Sequence, residues 1–353
     1  MFDKESPVTA ALTLQPAFPG FCPVTEAVEK LAVDGGIEER GAIFTKREVV
    51  DFILDLTGYT VDASLSEYRL LEPSFGDGDF LVPAIERLLL SAEREGKLTY
   101  AALVNSICAI ELHRSTFEGT RTLVVERLEK GGLSHEDAAR LCNAWLYQGD
   151  FLLAEFAPVF THVVGNPPYV RQEAIPDVLM AEYRQRYKTI YDRADIYVPF
   201  IERSLALLAH GGKQGFICAD RWMKNKYGKK LRELVSENYV LATYVDMYGV
   251  DAFHVEVSAY PVITVIEKAK GGATRVYARP QIDGKILEKL AADLTAPSLP
   301  KKSQVREIEN VTAGSEPWVL DSFDELALVR RLEAHFPALE DAGCKVGIGV
   351  ATG

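Results

Sequence analysis

The feature that most narrows the fold of this chain is an alternation. From about residue 41 onward, short apolar runs are separated by stretches whose apolar residues recur every three or four positions. An apolar run of four to eight residues bounded by turn formers is a strand buried on both faces, and an amphipathic stretch between two such runs is the crossover that joins parallel strands. The spacing predicts strands at 68–71, 107–110, 144–147, 162–164, 215–218, 242–247 and 261–266, and helices over 25–33, 81–95, 134–142, 196–208 and 226–237. Thr45 followed by Glu48 has the pattern of a capping box, which predicts a further helix carrying Val49, Val50, Ile53, Leu54 and Leu56. The expected fold is α/β, a mainly parallel sheet with helices on both faces.

The rest of the composition sets limits. With 353 residues, 48% of them hydrophobic, the chain can bury one large core and a satellite unit. Its longest apolar runs, such as 204–209 and 262–266, fall well short of the ~20 residues of a membrane span, and an amino end containing Asp3 and Glu5 is no secretory signal. A cytoplasmic location with no membrane partner is expected. Cys22, Cys108, Cys142, Cys218 and Cys344 are scattered with no C-x-x-C pair, so free, mostly buried thiols and no metal site are expected. A formal charge of -12 argues against a surface that clings everywhere to nucleic acid. Local basic clusters do occur, at Arg184, Arg186 and Lys188 and at Lys224, Lys226, Lys229, Lys230 and Arg232.

Along the chain, residues 1–40 are punctuated by proline and glycine and form an N-terminal extension. Residues 41–270 hold the alternating pattern. Residues 116–143 exceed a simple crossover and contain an extra helix begun by Ser134. Beyond 270 the pattern fades into charged and proline-containing sequence that ends in a glycine-rich run, 346–353.

The strongest chemical signal is Asn166-Pro167-Pro168-Tyr169, which follows the strand expected at 162–164. Open α/β sheets bind ligands outside the carboxyl ends of their strands, so this loop is well placed. Two consecutive prolines fix the backbone and supply no donors, leaving carbonyl oxygens in a rigid array beside the asparagine oxygen. An exocyclic NH2 that donates to the Asn166 side chain and the Pro167 carbonyl is drawn toward tetrahedral geometry, which frees its lone pair for an electrophilic methyl group. Tyr169 offers a face on which a planar base can stack.

A second signal lies at 70–80, where a strand runs through Glu72, Ser74, Gly76 and Gly78 into a helix. The glycines allow close backbone approach, and the acids Glu72, Asp77 and Asp79 disfavour a pyrophosphate and favour a cation. S-adenosylmethionine, with an ammonium, a sulfonium and no phosphate, suits such a loop. Glu111 closes the next strand, where a carboxylate can take ribose hydroxyls, and Asp150-Phe151 follows the third, where one can take an adenine amino group.

Taken together and in this order, these segments resemble the adenine-N6 DNA methyltransferases of restriction-modification systems, of the Eco57I-like Type II methylase kind. The resemblance covers roughly residues 41–267. It implies a class I S-adenosylmethionine-dependent (Rossmann-like) catalytic domain over 41–270. It implies cofactor contacts from Phe44, Thr45, Glu72, Ser74, Gly76, Gly78, Glu111, Leu112, Asp150 and Phe151, catalysis by Asn166, Pro167, Pro168 and Tyr169, and a second stacking aromatic at Phe253. The implied partner is double-stranded DNA with its target adenine flipped out, in host-protective modification, with a restriction endonuclease as separate partner or fused domain. The family also implies a target-recognition domain after the catalytic one, and 271–353 is read as a linker leading into a truncated copy. Two rivals share the site's chemistry or fold: an N-P-P-Y enzyme acting on a protein glutamine or on RNA, and an idle scaffold that only binds a partner.

Overall fold

The computed structural model describes residues 22–33, 43–156, 160–254, 260–312, 314–318, 320 and scattered positions between 328 and 347. Most of the expected extension and most of the glycine-rich end lie outside the described residues. The helices are α1 (Pro23–Val33), α2 (Arg47–Thr57), α3 (Leu81–Arg94), α4 (Tyr100–Leu103), α5 (Arg114–Lys130), α6 (His135–Trp145), α7 (Asp177–Arg186), α8 (Tyr197–Ala206), α9 (Arg221–Lys224), α10 (Lys229–Asn238) and α11 (Gly284–Thr295). The strands are β1 (Leu70–Glu72), β2 (Ile107–Glu111), β3 (Leu146–Gln148), β4 (Phe160–Gly165), β5 (Leu208–Ala219), β6 (Val240–Asp246), β7 (Pro261–Glu267), β8 (Thr274–Ala278) and β9 (Arg306–Ile308).

Among the described residues these strands form one mixed sheet in the order β3-β2-β1-β4-β5-β7-β6-β8-β9. The first five are joined by parallel pairings, and β7 inserts antiparallel between β5 and β6. β1 and β2 are buried along their whole length, which is what their unbroken apolar runs require when both faces are covered. Strand order reverses between β1 and β4, and the loops leaving these neighbours diverge there, opening a crevice at the carboxyl edge.

The seven strands expected from the sequence are all present. β8 and β9 extend the sheet past residue 270, and the compact unit containing them runs to Pro317, with residues 318–353 forming a second unit. The long segment 116–143 holds two helices: α5, the crossover itself, and α6, whose Ser134 hydroxyl accepts from the Asp137 N–H at 3.1 Å. Cys108, Cys142 and Cys218 are buried, as their apolar surroundings imply.

The expected capping box is not formed. α2 begins one residue later than it requires, with Lys46 as its N-cap and no side-chain cap hydrogen bond. Thr45 is instead extended and forms an isolated antiparallel bridge to Phe253. The contacts that Thr45 gains with the N-P-P-Y loop and with Asp79, described below, replace the cap.

α2 is held close to the sheet by a missing side chain. A Cβ on Gly215 of β5 would lie 2.4 Å from the Thr57 Cγ2 and 3.0 Å from the Ile53 Cγ2. Thr57 cannot swing aside freely, because its hydroxyl donates to the Leu54 carbonyl at 2.9 Å. Gly215→Ala is therefore expected to destabilise the protein by about 2 kcal/mol through overpacking, measured as a lowered midpoint in urea. An unchanged midpoint would show that α2 has slack.

Candidate active site

Four successive strand ends, those of β1, β2, β3 and β4, converge on one cavity of about 590 Å³. Of the residues expected at the site, Phe44, Thr45, Glu72, Ser74, Gly76, Glu111, Leu112, Asp150, Phe151, Asn166 and Pro168 line it. Pro167, Tyr169, Gly78 and Phe253 are not in its lining.

The loop after β1 is held by its neighbour. The Glu111 carboxylate accepts from the Gly76 N–H at 2.9 Å and the His113 N–H at 2.8 Å, while the Thr120 hydroxyl donates to the Gly76 carbonyl at 2.7 Å. Gly76 and Gly78 have φ of +50° and +91°, the left-handed region that favours glycine. Glu111 thus shapes the loop as well as the cavity. Glu111→Ala should leave two amides without an acceptor and weaken S-adenosylmethionine binding by about 1.5–3 kcal/mol, or ~10- to 150-fold in Kd. Titration calorimetry giving the wild-type Kd would refute that role.

The cavity is acidic. Glu72 is buried, and burial pushes its carboxyl well above the usual range, with Asp79 and Glu111 pushing the same way. Its Oε2 has no hydrogen-bond partner. Burial also raises Asp79, against the pull of the Thr45 N–H, which donates to its Oδ2 at 2.7 Å. Asp150 is raised by burial, and the Tyr183 hydroxyl, donating to its Oδ2, acts against that; its Oδ1 accepts from the Leu152 N–H at 2.7 Å. No lysine or arginine lines the cavity among the described residues. Several carboxyls in a lining that holds no lysine or arginine make a site for a positively charged ligand.

The N-P-P-Y loop leaves β4 and brings Asn166 into this wall. The Asn166 Nδ2 donates to the Ile43 carbonyl at 2.9 Å and approaches the Thr45 Oγ1 at 3.3 Å. Turned over, the amide would set oxygen against the Ile43 carbonyl, so the network fixes its orientation. The Oδ1 is thereby left buried and without a partner. The Ser74 hydroxyl reaches the Asn166 carbonyl at 3.5 Å, linking the two loops.

The Tyr169 ring lies 6.0 Å from that of Tyr197 at 38°, and burial raises its hydroxyl pKa well above the usual value, the Ala219 backbone that the hydroxyl meets acting against this. Phe253 is packed in the core, its backbone bridged to Thr45. Tyr183, Ile196 and Phe200 of the cavity wall were not anticipated, and nothing in their local sequence marks them. Only the packing of α7 and α8 beside the Asp150 loop brings them in.

Residues 86–253 match the model of the family described as Eco57I restriction-modification methylase. The chain is 58% identical over 342 residues to the Type II methyltransferase M.PaeR7I of Pseudomonas aeruginosa, covering 96% of this chain and 60% of that protein. It is 53% identical over 323 residues to the Type II methyltransferase M.XhoI of Xanthomonas vasicola, covering 90% and 59%. The chain thus spans about three fifths of the length of these curated relatives. Among solved structures, the methyltransferase subunit of a type I restriction-modification system from Streptococcus thermophilus superposes with a TM-score of 0.54 at 12% identity, covering 76% of this chain and 56% of that one.

Proposed function

We propose that this chain, which belongs to the restriction-modification methylases, transfers a methyl group from S-adenosylmethionine to the N6 amino group of adenine in DNA. Its fold is that of the class I S-adenosylmethionine-dependent methyltransferases. The observation that carries the reading is the Asn166 Oδ1, a buried acceptor left open while the other end of its amide is tied down.

The residues present fit the cofactor. Glu72 Oε2 is a buried acceptor without a partner, suited to an ammonium, and the acidic wall suits a sulfonium. Glu111 and Asp150 line the same cavity, where a carboxylate can take ribose hydroxyls or an adenine amino group, and Phe44, Leu112 and Phe151 would give apolar surface for the purine. Bound, S-adenosylmethionine supplies an electrophilic methyl on a positive sulfur.

Asn166 Oδ1 and the Pro167 carbonyl accept the two hydrogens of the substrate amino group. This pulls its nitrogen out of conjugation with the ring, and the pair is rigid before substrate arrives, so little reorganisation opposes the transition state. Tyr169 offers the base an aromatic face, which requires the adenine to leave the duplex. As charge builds on the nitrogen, the same acceptors stabilise the N–H groups that become more acidic.

The test is mass spectrometry of nucleosides from a methylation-deficient host expressing the full-length gene, beside one expressing its Asn166→Ala form. N6-methyladenine with the wild type alone is expected. Its absence from both hosts, with 4-methylcytosine absent too and with folded protein that binds S-adenosylmethionine, would overturn the DNA reading and favour an RNA or protein-glutamine substrate.

A further inference from the structure

A chain with a formal charge of -12 needs local cations to hold a polyanion at this edge of its sheet. Several exposed arginines of the first unit are neutralised by carboxylates within 4 Å, among them Arg47, Arg94, Arg121, Arg140 and Arg279. Arg171 and Arg221 are exposed and, like Arg114 and Arg193, form no ion pair within 4 Å and no side-chain hydrogen bond among the described residues; what sets these two apart is their place beside the catalytic loop.

Their placement follows from contacts at the catalytic loop. The Tyr169 hydroxyl meets the Ala219 backbone, and each arginine lies two residues beyond one partner of that contact. The Ile196 N–H donates to the Val170 carbonyl at 3.1 Å, which sets Asp195 beside Arg171. Burial raises the half-buried Asp195 carboxyl, Arg221 and Arg171 pull back against it and Glu173 adds to the rise, so both guanidinium groups are within electrostatic reach of the same carboxyl. They therefore stand on adjacent strand exits, of β4 and β5, at the rim next to Asn166.

We propose that Arg171 and Arg221 are a phosphate grip for the DNA strand that carries the target base, one on each side of the extruded nucleotide. Guanidinium groups are suited to the task, since their forked donors match phosphate oxygens. Asp195 attracts both without forming an ion pair within 4 Å, so their donors remain available. Such contacts position the strand without reading sequence. The inference rests on DNA being the substrate.

The experiment uses the full-length protein, with plasmid DNA from a methylation-deficient host as methyl acceptor and labelled S-adenosylmethionine as donor. For Arg171→Gln/Arg221→Gln, the KM for DNA is expected to rise about tenfold or more and the salt dependence of binding to flatten by about 2 in log–log slope, roughly one per phosphate contact. The Kd for S-adenosylmethionine and the kcat at saturating DNA should hold. Arg171→Lys/Arg221→Lys should recover the slope, because charge sets it. Wild-type methylation of the plasmid with an unchanged KM and slope in the glutamine variant would overturn the grip and leave the function standing. A wild type that binds S-adenosylmethionine but methylates no DNA would overturn both.

Discussion

Asn166→Ala should lower kcat for methyl transfer by ~10²–10³-fold, the cost of removing one preorganised polar partner of a transition state, with the Kd for S-adenosylmethionine held within about twofold. The asymmetry follows from where the two ends of the amide point. Its Oδ1 is buried and has no partner, whereas its Nδ2 is spent on Ile43 and Thr45. Removing the acceptor abolishes the pull on the substrate amino group, an interaction stronger in the transition state than in the ground state. Single-turnover kinetics at saturating DNA and calorimetry on the same preparation separate the two quantities. A variant that kept wild-type turnover would remove Asn166 from the chemistry. One that lost cofactor binding in proportion would make it a strut for the Ile43–Thr45 segment.

Glu72→Gln is expected to act in opposite directions on stability and on binding. In the free protein the Glu72 carboxyl is raised above its ordinary 4.5 by burial and by Asp79 and Glu111. Between that value and the raised one, the folded state holds a proton that the unfolded chain has lost. The contribution of Glu72 to stability is therefore complete below the ordinary value and is lost as pH rises through the raised one. Glutamine carries no charge to bury, so the variant should unfold at higher temperature than wild type on the alkaline side and show a flatter pH dependence. A cationic ligand reverses the preference: it favours the carboxylate, expels the proton, and binds more tightly as pH rises across the same window. The variant should bind S-adenosylmethionine ~10- to 150-fold more weakly, the worth of a charged hydrogen bond of about 1.5–3 kcal/mol. Calorimetry in buffers of differing ionisation enthalpy reads the proton release directly. Equal affinity in the variant, or binding with no proton release, would remove Glu72 from the ammonium site.

Much of this site was legible because its parts are local. Glu72 with Gly76, Glu111, Asp150 and Asn166 each end a strand, and once the alternation identifies the strands, their ends are known to share one edge. What was not legible depends on contacts between distant segments. Thr45 and Glu48 satisfy a local capping rule, yet Thr45 is taken up by Asp79, Asn166 and Phe253, none of them near it in sequence. Tyr183 sits in a helix of weak amphipathic character and becomes part of the site only because its hydroxyl meets Asp150. Phe253 precedes an apolar run, and the sequence alone does not distinguish an aromatic ring aimed at a substrate from one packed in the core, where it is found. β8 and β9 were missed for a simpler reason. They are short and alternate with charged residues such as Arg275 and Glu307, which pair across the strands and mask the apolar signal.

The antiparallel insertion of β7 has a consequence for the newborn chain. β5 and β6 leave the ribosome one after the other, but in the finished sheet they do not touch, because β7 fills the slot between them. Until residues 261–267 have been translated, two apolar strands each present a bare edge of unpaired amides and carbonyls, the kind of edge that recruits strands from other chains. The catalytic wall waits as well, since Thr45 finds its bridge only when Phe253, just ahead of β7, has emerged. A nascent protein stalled short of β7 should therefore be sticky and inert; synthesis through that strand closes the slot and lets the site assemble, and β8 then covers the outer edge of β6.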